Sequence, residues 1–482
     1  MHCGYIVKVE KLRKHPNADK LNIATFFGND TCVGLDICMG EIGIYFPSDI
    51  QLSEEFCDEN HLCRTKADGT ADTGYLERRT RHVKAINLRG EKSDGIYMPL
   101  SSLEFTGVNM DTLNVGDTVT VINGHEICCK YIPKNNKVIN NCPHCKSNKK
   151  KAPIAPLFAE HADTEQLAYN LSAFKPGDEI EISLKMHGTS QRTAYLPVLK
   201  GYKKTFLDYI LFRKGTPVYE YDYISGTRRT VLENYEGGFY GNNRFRQQHH
   251  DTFVSKLNKG ETVYYEVVGF TDYGASIMGK GNNAKVGKDF VKQYGEETVF
   301  SYNCHPEGRV NIEFKGLPCT LETDDGTITS NHVTAEIAVP QSDIYVYRMT
   351  MTNEDGFTIE YTPDYMRYRC EQMGVKCVPV FATMKLTEDG GWVFREDGTF
   401  TAVCDSDLGD FVQLAAEEFY DGPDPVGKTH IREGVVVRIV NRPTFKAYKH
   451  KNHSFKVLEG IIKDLADAPD IEEAEEEFKE EV

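Results

Sequence analysis

The chain is predicted to be an α+β protein, with a small β-rich unit ahead of a larger unit of antiparallel strands and helices. Three observations predict this. Short alternating segments crowd residues 1–126, strands and helices mix afterwards without a βαβ rhythm, and neither a Rossmann nor a Walker A glycine pattern occurs.

In the first unit, Tyr5–Val9, Leu21–Phe26, Gly43–Phe46 and Thr118–Ile122 read as strands. Gly28-Asn29-Asp30, Arg89-Gly90 and Asn123-Gly124 punctuate them as turns, which is a small-barrel pattern. Further on, Glu179–Leu184 alternates apolar and polar residues, while Val263–Gly269 and Ile344–Tyr347 read as strands and Gly434–Val440 as a buried one. Leu408–Phe419 and the end of the chain have helical periodicity.

At 482 residues the chain can hold two or three domains. Its 72 acidic against 56 basic side chains give a formal charge of −16, which excludes a general polyanion-coating protein. A nucleic acid would have to be held in a local basic groove. The 14 cysteines are scattered, the N-terminus lacks signal-peptide organisation, and no 18-residue apolar run occurs. Reduced thiols in a cytoplasmic protein, with no membrane partner and no evident obligate protein partner, are the expectation.

Residues 127–151 form a basic linker: Lys130 to Lys151 contains seven lysines and no acidic residue. Cys142-Pro143-His144-Cys145 has knuckle spacing and, with Cys128 and Cys129, is a candidate structural Zn2+ site. Metal-free thiols are the other reading. Residues 152–482 form the third region, which ends in an acidic tail.

That third region carries the chemistry. Lys185-Met186-His187-Gly188 follows a strand, so a lysine stands at a strand end before a glycine. Downstream come Glu433-Gly434, then Lys449-His450-Lys451, whose lysines share one face of an extended strand. An amine, a carboxylate and paired cations are what nucleotidyl transfer needs: a nucleophile, a cation anchor and charge to neutralise phosphate.

The ordered series Lys185–Gly188, Glu266, Tyr345/Tyr347, Glu433-Gly434 and Lys449/Lys451 resembles the motifs of the covalent nucleotidyltransferases, the ATP-dependent ligases and mRNA capping enzymes. His187 stands where that family usually has aspartate. With the barrel-like unit upstream, this departure resembles the Deinococcus-type RNA ligases. His15-Pro16-Asn17-Ala18-Asp19-Lys20-Leu21 and Leu88–Ile96 resemble OB-fold modules that bind tRNA, although a packing role is the alternative.

The resemblance implies a ligase adenylation domain that takes AMP from ATP onto Lys185, with Mg2+ or Mn2+ held by Glu433 and Glu266. It implies nucleotide contacts from Gln166, His187, Gly188, Arg192, Glu266, Arg438 and one of Tyr345 and Tyr347, with Tyr347 preferred for stacking on adenine. Lys449 and Lys451 would neutralise the α-phosphate, and Arg228 and Arg229 are candidate RNA contacts. The implied substrates are RNA ends or an RNA-containing nicked duplex, as in RNA repair. Only 31 of the 482 residues follow Lys451, fewer than the C-terminal OB domain of capping enzymes and DNA ligases needs. A DNA or mixed-strand ligase is the enzymatic alternative, and a noncatalytic RNA-binding protein is the alternative from another class. The distance in sequence between residues 1–126 and the nucleotide motifs suggests that the first unit serves sealing more than self-adenylylation.

Overall fold

The structure is a computed structural model. It describes residues 2–131, 153–162, 164–210, 215–232, 234–235, 244–271, 277, 307–323, 326–340, 342–388, 390–395, 398–404, 407–426 and 431–457. Cys142, Cys145 and the acidic tail therefore lie outside the described residues.

The N-terminal unit is built of small antiparallel sheets. Ile96–Pro99, Ile42–Phe46, Gly4–Lys8 and Thr118–Val119 form one, and Leu12–Lys14, Leu21–Phe26 and Asn29–Gly34 another. A hairpin, Ala85–Leu88 with Glu91–Asp94, turns at Arg89 and Gly90, both at positive φ. The predicted turn at Asn123-Gly124 likewise has positive φ at both residues. Ile6, Ile44, Phe46 and Phe56 pack one core; Tyr5, Val7, Phe26 and Tyr45, alternating with the first set along the same strands, pack a second. Both faces of the central sheet are thus buried. The pairing gives separate sheets, and no ladder among the described residues closes them into one OB barrel.

His15 shows what its distinctive segment does locally. It is buried, its Nε2 donates to Leu88 O (3.1 Å), and its Nδ1 accepts from Asn17 N (3.1 Å). Asn17 Nδ2 reaches Arg89 O (2.9 Å), so the segment ties the chain to the 85–94 hairpin. Cys128–Lys130 is a strand paired with Ile50–Leu52. Neighbouring residues on a strand face opposite ways. The buried Cys128 thiol donates to Val119 O (3.3 Å), while Cys129 lies across the strand and is half-buried. The four-cysteine zinc reading therefore gains no support from Cys128 and Cys129. Among the described residues no group of three or more His, Cys, Asp or Glu side chains is placed to hold a metal.

Two seven-stranded sheets make the larger unit. In the first, Glu165–Gln166, Lys446–Lys451, Gly434–Ile439, Glu179–Leu184, Val380–Thr387, Gly390–Arg395 and Phe400–Cys404 lie side by side. The second runs Val231–Leu232, Thr216–Gly226, Thr189–Lys203, Glu261–Gly269, Ser342–Thr352 and Thr358–Glu360, with Lys376–Cys377 also paired to Ser342–Thr352. Leu408–Phe419 covers the first sheet, burying Phe411, Val412, Ala415 and Ala416, and Asp407 caps it by accepting from Gly409 N. Pro363–Met373 starts at a Thr362 cap with proline in its first turn and stops at Gly374, φ 70°. Glu307–Thr323 and Gly326–Pro340 pair as a long antiparallel hairpin. No helix among the described residues is long and apolar enough to cross a membrane.

Glu179–Leu184 alternates apolar and polar residues, and Glu181 and Ser183 are buried along with the apolar ones. Their polar face lines the cleft shared with Ser190, Glu266 and Tyr347 of the second sheet, and Arg367 Nη1, from the helix Pro363–Met373, meets Glu181 Oε2 at 2.6 Å. A strand polar on one side and apolar on the other here marks a cleft between sheets, not a surface.

Candidate active site

Lys185 to Gly188 is the crossing between the sheets: Glu179–Leu184 ends in one and Thr189–Lys203 begins in the other. The crossing is tied down at its start, where Leu184 N donates to Pro379 O (2.8 Å) and Lys185 N to Gly434 O (3.0 Å). Gly188 is required by space: a Cβ there would stand 2.3 Å from Val267 O and 2.9 Å from Glu266 Cγ. Gly434 has φ 145°, and a Cβ would come within 2.1 Å of His450 O. Both glycines let a chain pass against a neighbouring strand.

Glu433 is the focus. Its side chain is 3% exposed; Lys185 Nζ lies 2.6 Å and Lys451 Nζ 3.4 Å from Oε1, and His187 Nδ1 donates to Oε2 at 2.9 Å. His187 and Glu433 are 246 positions apart in the chain. Burial by itself pushes the Glu433 carboxyl up, but Lys185, Lys451 and His187 together hold it well below the usual range. It is a carboxylate at any neutral pH.

Beside this cluster opens a cleft of about 110 Å³ lined by Lys185, Ser190, Glu266, Tyr347, Arg228 and Arg438, among others. Tyr347 lies within it with its hydroxyl 3.0 Å from Ser190 Oγ. Tyr345 instead packs with Leu184, Met186, Val268 and Val378, under the Lys376 ammonium 5.6 Å from its ring. Glu266 pairs with Ser190 across the ladder, at the cleft wall.

The far end of the cleft is cationic. Arg348 is clamped between the rings of Tyr264 (4.5 Å) and Phe445 (4.3 Å), binds Glu360 through Nε (3.0 Å to Oε2), and donates from Nη1 to His161 Nδ1 (3.1 Å). Arg438 adds Nη2 to Tyr361 O (3.2 Å) and Glu360 Oε2 (3.5 Å). Burial first, then Arg348, Arg228, Arg192 and Arg438, push His161 well below its ordinary value, so it is neutral and accepts through Nδ1. Sequence reasoning singled out neither Arg348 nor Phe445. Their only signal is position: Arg348 is on a strand that carries other candidates, and Phe445 directly precedes one.

Other expected residues fall elsewhere. Gln166 pairs with Lys449 at the sheet edge, outside the cleft lining. Lys449 is half-buried on the same strand as Lys451. Arg192 is buried, with its guanidinium 4.3 Å over the Phe158 ring and Nη1 donating to Arg228 O, behind the cleft wall. Arg229 is exposed.

No family model matches the chain, and no curated protein matches it in sequence. In three dimensions it is similar to solved Naegleria gruberi RNA ligase structures. An unliganded lysine-to-alanine variant matches at 14% identity and TM-score 0.52, covering 95% of this chain and 98% of that one. A glutamate-to-alanine variant with ATP and Mn matches at 15% and 0.51 over 95% and 99%. The ligase with PPi matches at 15% and 0.50 over 94% and 98%. This likeness establishes the fold, an α+β arrangement of antiparallel sheets and helices shared with those structures.

Proposed function

We propose that the protein is an ATP-dependent RNA ligase of the Deinococcus-type arrangement, joining 3′-OH and 5′-phosphate ends through a lysyl-AMP intermediate. One observation carries this: Lys185 and Lys451, from opposite ends of the larger unit, meet on the buried Glu433 at the mouth of a cleft holding Tyr347 and Glu266. The similar ligase structures that contain ATP, Mn or PPi support the same reading.

As the neutral amine, its proton released to solvent, Lys185 Nζ attacks the α-phosphorus of ATP. The N–P bond forms, the bond to the bridging oxygen breaks, and pyrophosphate leaves. The paired Glu433 holds Lys185 at the strand end, aimed into the cleft. Lys451, and Lys449 on the same face of its strand, neutralise charge gathering on the transferred phosphate. Tyr347 offers its ring to the base, and Arg228 and Arg438 supply positive charge along the cleft. In the second step AMP passes to the RNA 5′-phosphate; in the third a 3′-OH displaces it.

The donors fit a divalent ion held by one ionised carboxylate, Glu433, with Glu266 at the cleft wall and the remaining positions left to water and phosphate oxygens. Bound there, such an ion would neutralise phosphate charge and compete with Lys185 for the carboxylate.

The test is incubation with α-labelled ATP and Mn2+ or Mg2+, followed by RNA–RNA, RNA–DNA and DNA–DNA nicks. An acid-labile, alkali-stable adduct lost in Lys185→Ala, with sealing strongest on RNA ends, is the expected result. RNA binding without an adduct would overturn the proposal, and preferential sealing of DNA nicks would overturn its substrate assignment.

A further inference from the structure

The N-terminal unit does not stand apart from the nucleotide motifs. Its 85–94 hairpin grips the segment that directly follows Lys451. Asp94, buried in that hairpin, binds Lys456 Nζ at 2.6 Å, with Asn29 Oδ1 at 3.5 Å from the same ammonium. His453 Nε2 donates to Asn87 Oδ1 (3.0 Å). Lys92 Nζ donates to Tyr420 OH (3.3 Å), and the Tyr420 ring stacks on His450 (4.9 Å, 27°).

The gripped segment in turn touches the reacting groups. Phe455, fully buried, sets its ring 4.9 Å from His187 at 75°. Asn452 N donates to Glu433 O (2.8 Å). A continuous path of contacts thus runs Asp94–Lys456–Phe455–His187–Glu433. A second region fixes the same interface: Tyr5 stacks on Tyr169 (4.7 Å, 24°), and a Cβ on Gly28 would overlap Gln413 Nε2 at 1.8 Å.

We infer that the 85–94 hairpin is a positioning element for the Lys185–Glu433–Lys451 cluster, acting through the Asp94–Lys456 ion pair and the Phe455 ring against His187. The inference rests on the nucleotidyl-transfer reading above. A buried ion pair with one partner removed leaves the other charge uncompensated, so the 452–457 segment loses its anchor and His187 its packing partner. The nucleotide cleft is untouched by the change.

The experiment measures single-turnover lysyl-AMP formation by the full chain across ATP concentrations. Asp94→Asn and Phe455→Leu should each lower the maximal rate at least tenfold while the ATP concentration for half-maximal rate changes less than threefold. Lys456→Arg, which keeps the ion pair, should stay within threefold of wild type, as should Glu91→Gln in the same hairpin, whose partner is Arg13. Phe455→Leu leaves the ion pair intact and decides the matter should Asp94→Asn fail to fold. Wild-type rates in Phe455→Leu, or a loss seen only in ATP affinity, would overturn the inference. An absent wild-type adduct would instead overturn the reading beneath it.

Discussion

Replacing Glu433 with glutamine should destabilise the protein at neutral pH, and the loss should shrink in acid. The carboxylate is buried between two ammonium groups and an imidazole, Lys451 being 3.4 Å away. At an effective dielectric of about 20, one such pair has about 5 kcal/mol of Coulomb attraction. Desolvation of the buried carboxylate takes back part of it, and the partly exposed lysines relax toward water once their partner is gone, leaving roughly 2–4 kcal/mol net. The pH dependence follows from the direction of the shift. A carboxyl held well below its unfolded value near 4.5 contributes fully above that value and loses its contribution as pH falls toward its folded one. Glutamine has no such linkage, so the gap between wild type and Glu433→Gln should narrow below pH 4.5. Urea unfolding at pH 7 and at several values below 4.5 measures it. A gap under about 0.5 kcal/mol at pH 7, the size of an exposed pair, or one that does not change with pH, would refute the reasoning.

Gly188→Ala should cost about 1–3 kcal/mol of stability by overpacking against Val267 O and abolish lysyl-AMP formation; wild-type melting together with wild-type adduct yield would contradict it. Tyr347→Phe removes only the hydroxyl contact to Ser190, so roughly 1 kcal/mol of stability should go while ATP affinity holds. Tyr347→Ala, which removes the ring as well, should weaken ATP binding about tenfold or more if the base stacks there, as nucleotide titration would show. His161, kept neutral by burial and four arginines, contributes stability above its unfolded value of 6.5 that is lost as pH falls below it. The His161→Gln variant should therefore show a flatter stability profile between pH 7 and 5, and equal slopes in denaturant titrations would count against the assignment.

Local chemistry was legible where residues act through their neighbours in the chain. Alternation located Leu21–Phe26, Val263–Gly269 was read as a strand and lies within Glu261–Gly269, helical periodicity located Leu408–Phe419, and the turn formers Arg89-Gly90 and Asn123-Gly124 located turns that have positive φ at both residues. The order of Lys185, Glu433 and Lys451 was equally legible, because their residue types and spacing state a chemical need. Spacing failed where an outcome depends on what covers a face. Glu181 and Ser183, the polar positions of an alternating strand, are buried in the wall of the cleft between the two sheets. Cys128, one of four candidate zinc ligands, has its thiol in a core beside Val119, a placement set by its strand and not by cysteine spacing.

The sequence by itself determined which groups are available: a lysine at a strand end, a glycine that allows close passage, a carboxylate and a pair of lysines on one strand face. Tertiary structure alone decided that they converge. The Glu433 carboxylate can be buried only because Lys185 and His187 reach it from the crossing between the sheets and Lys451 from a separate strand, and the Arg348–His161–Phe445 end of the cleft exists only where two sheets close on each other. Convergence of that kind is set by long-range packing, which no local pattern of side chains encodes.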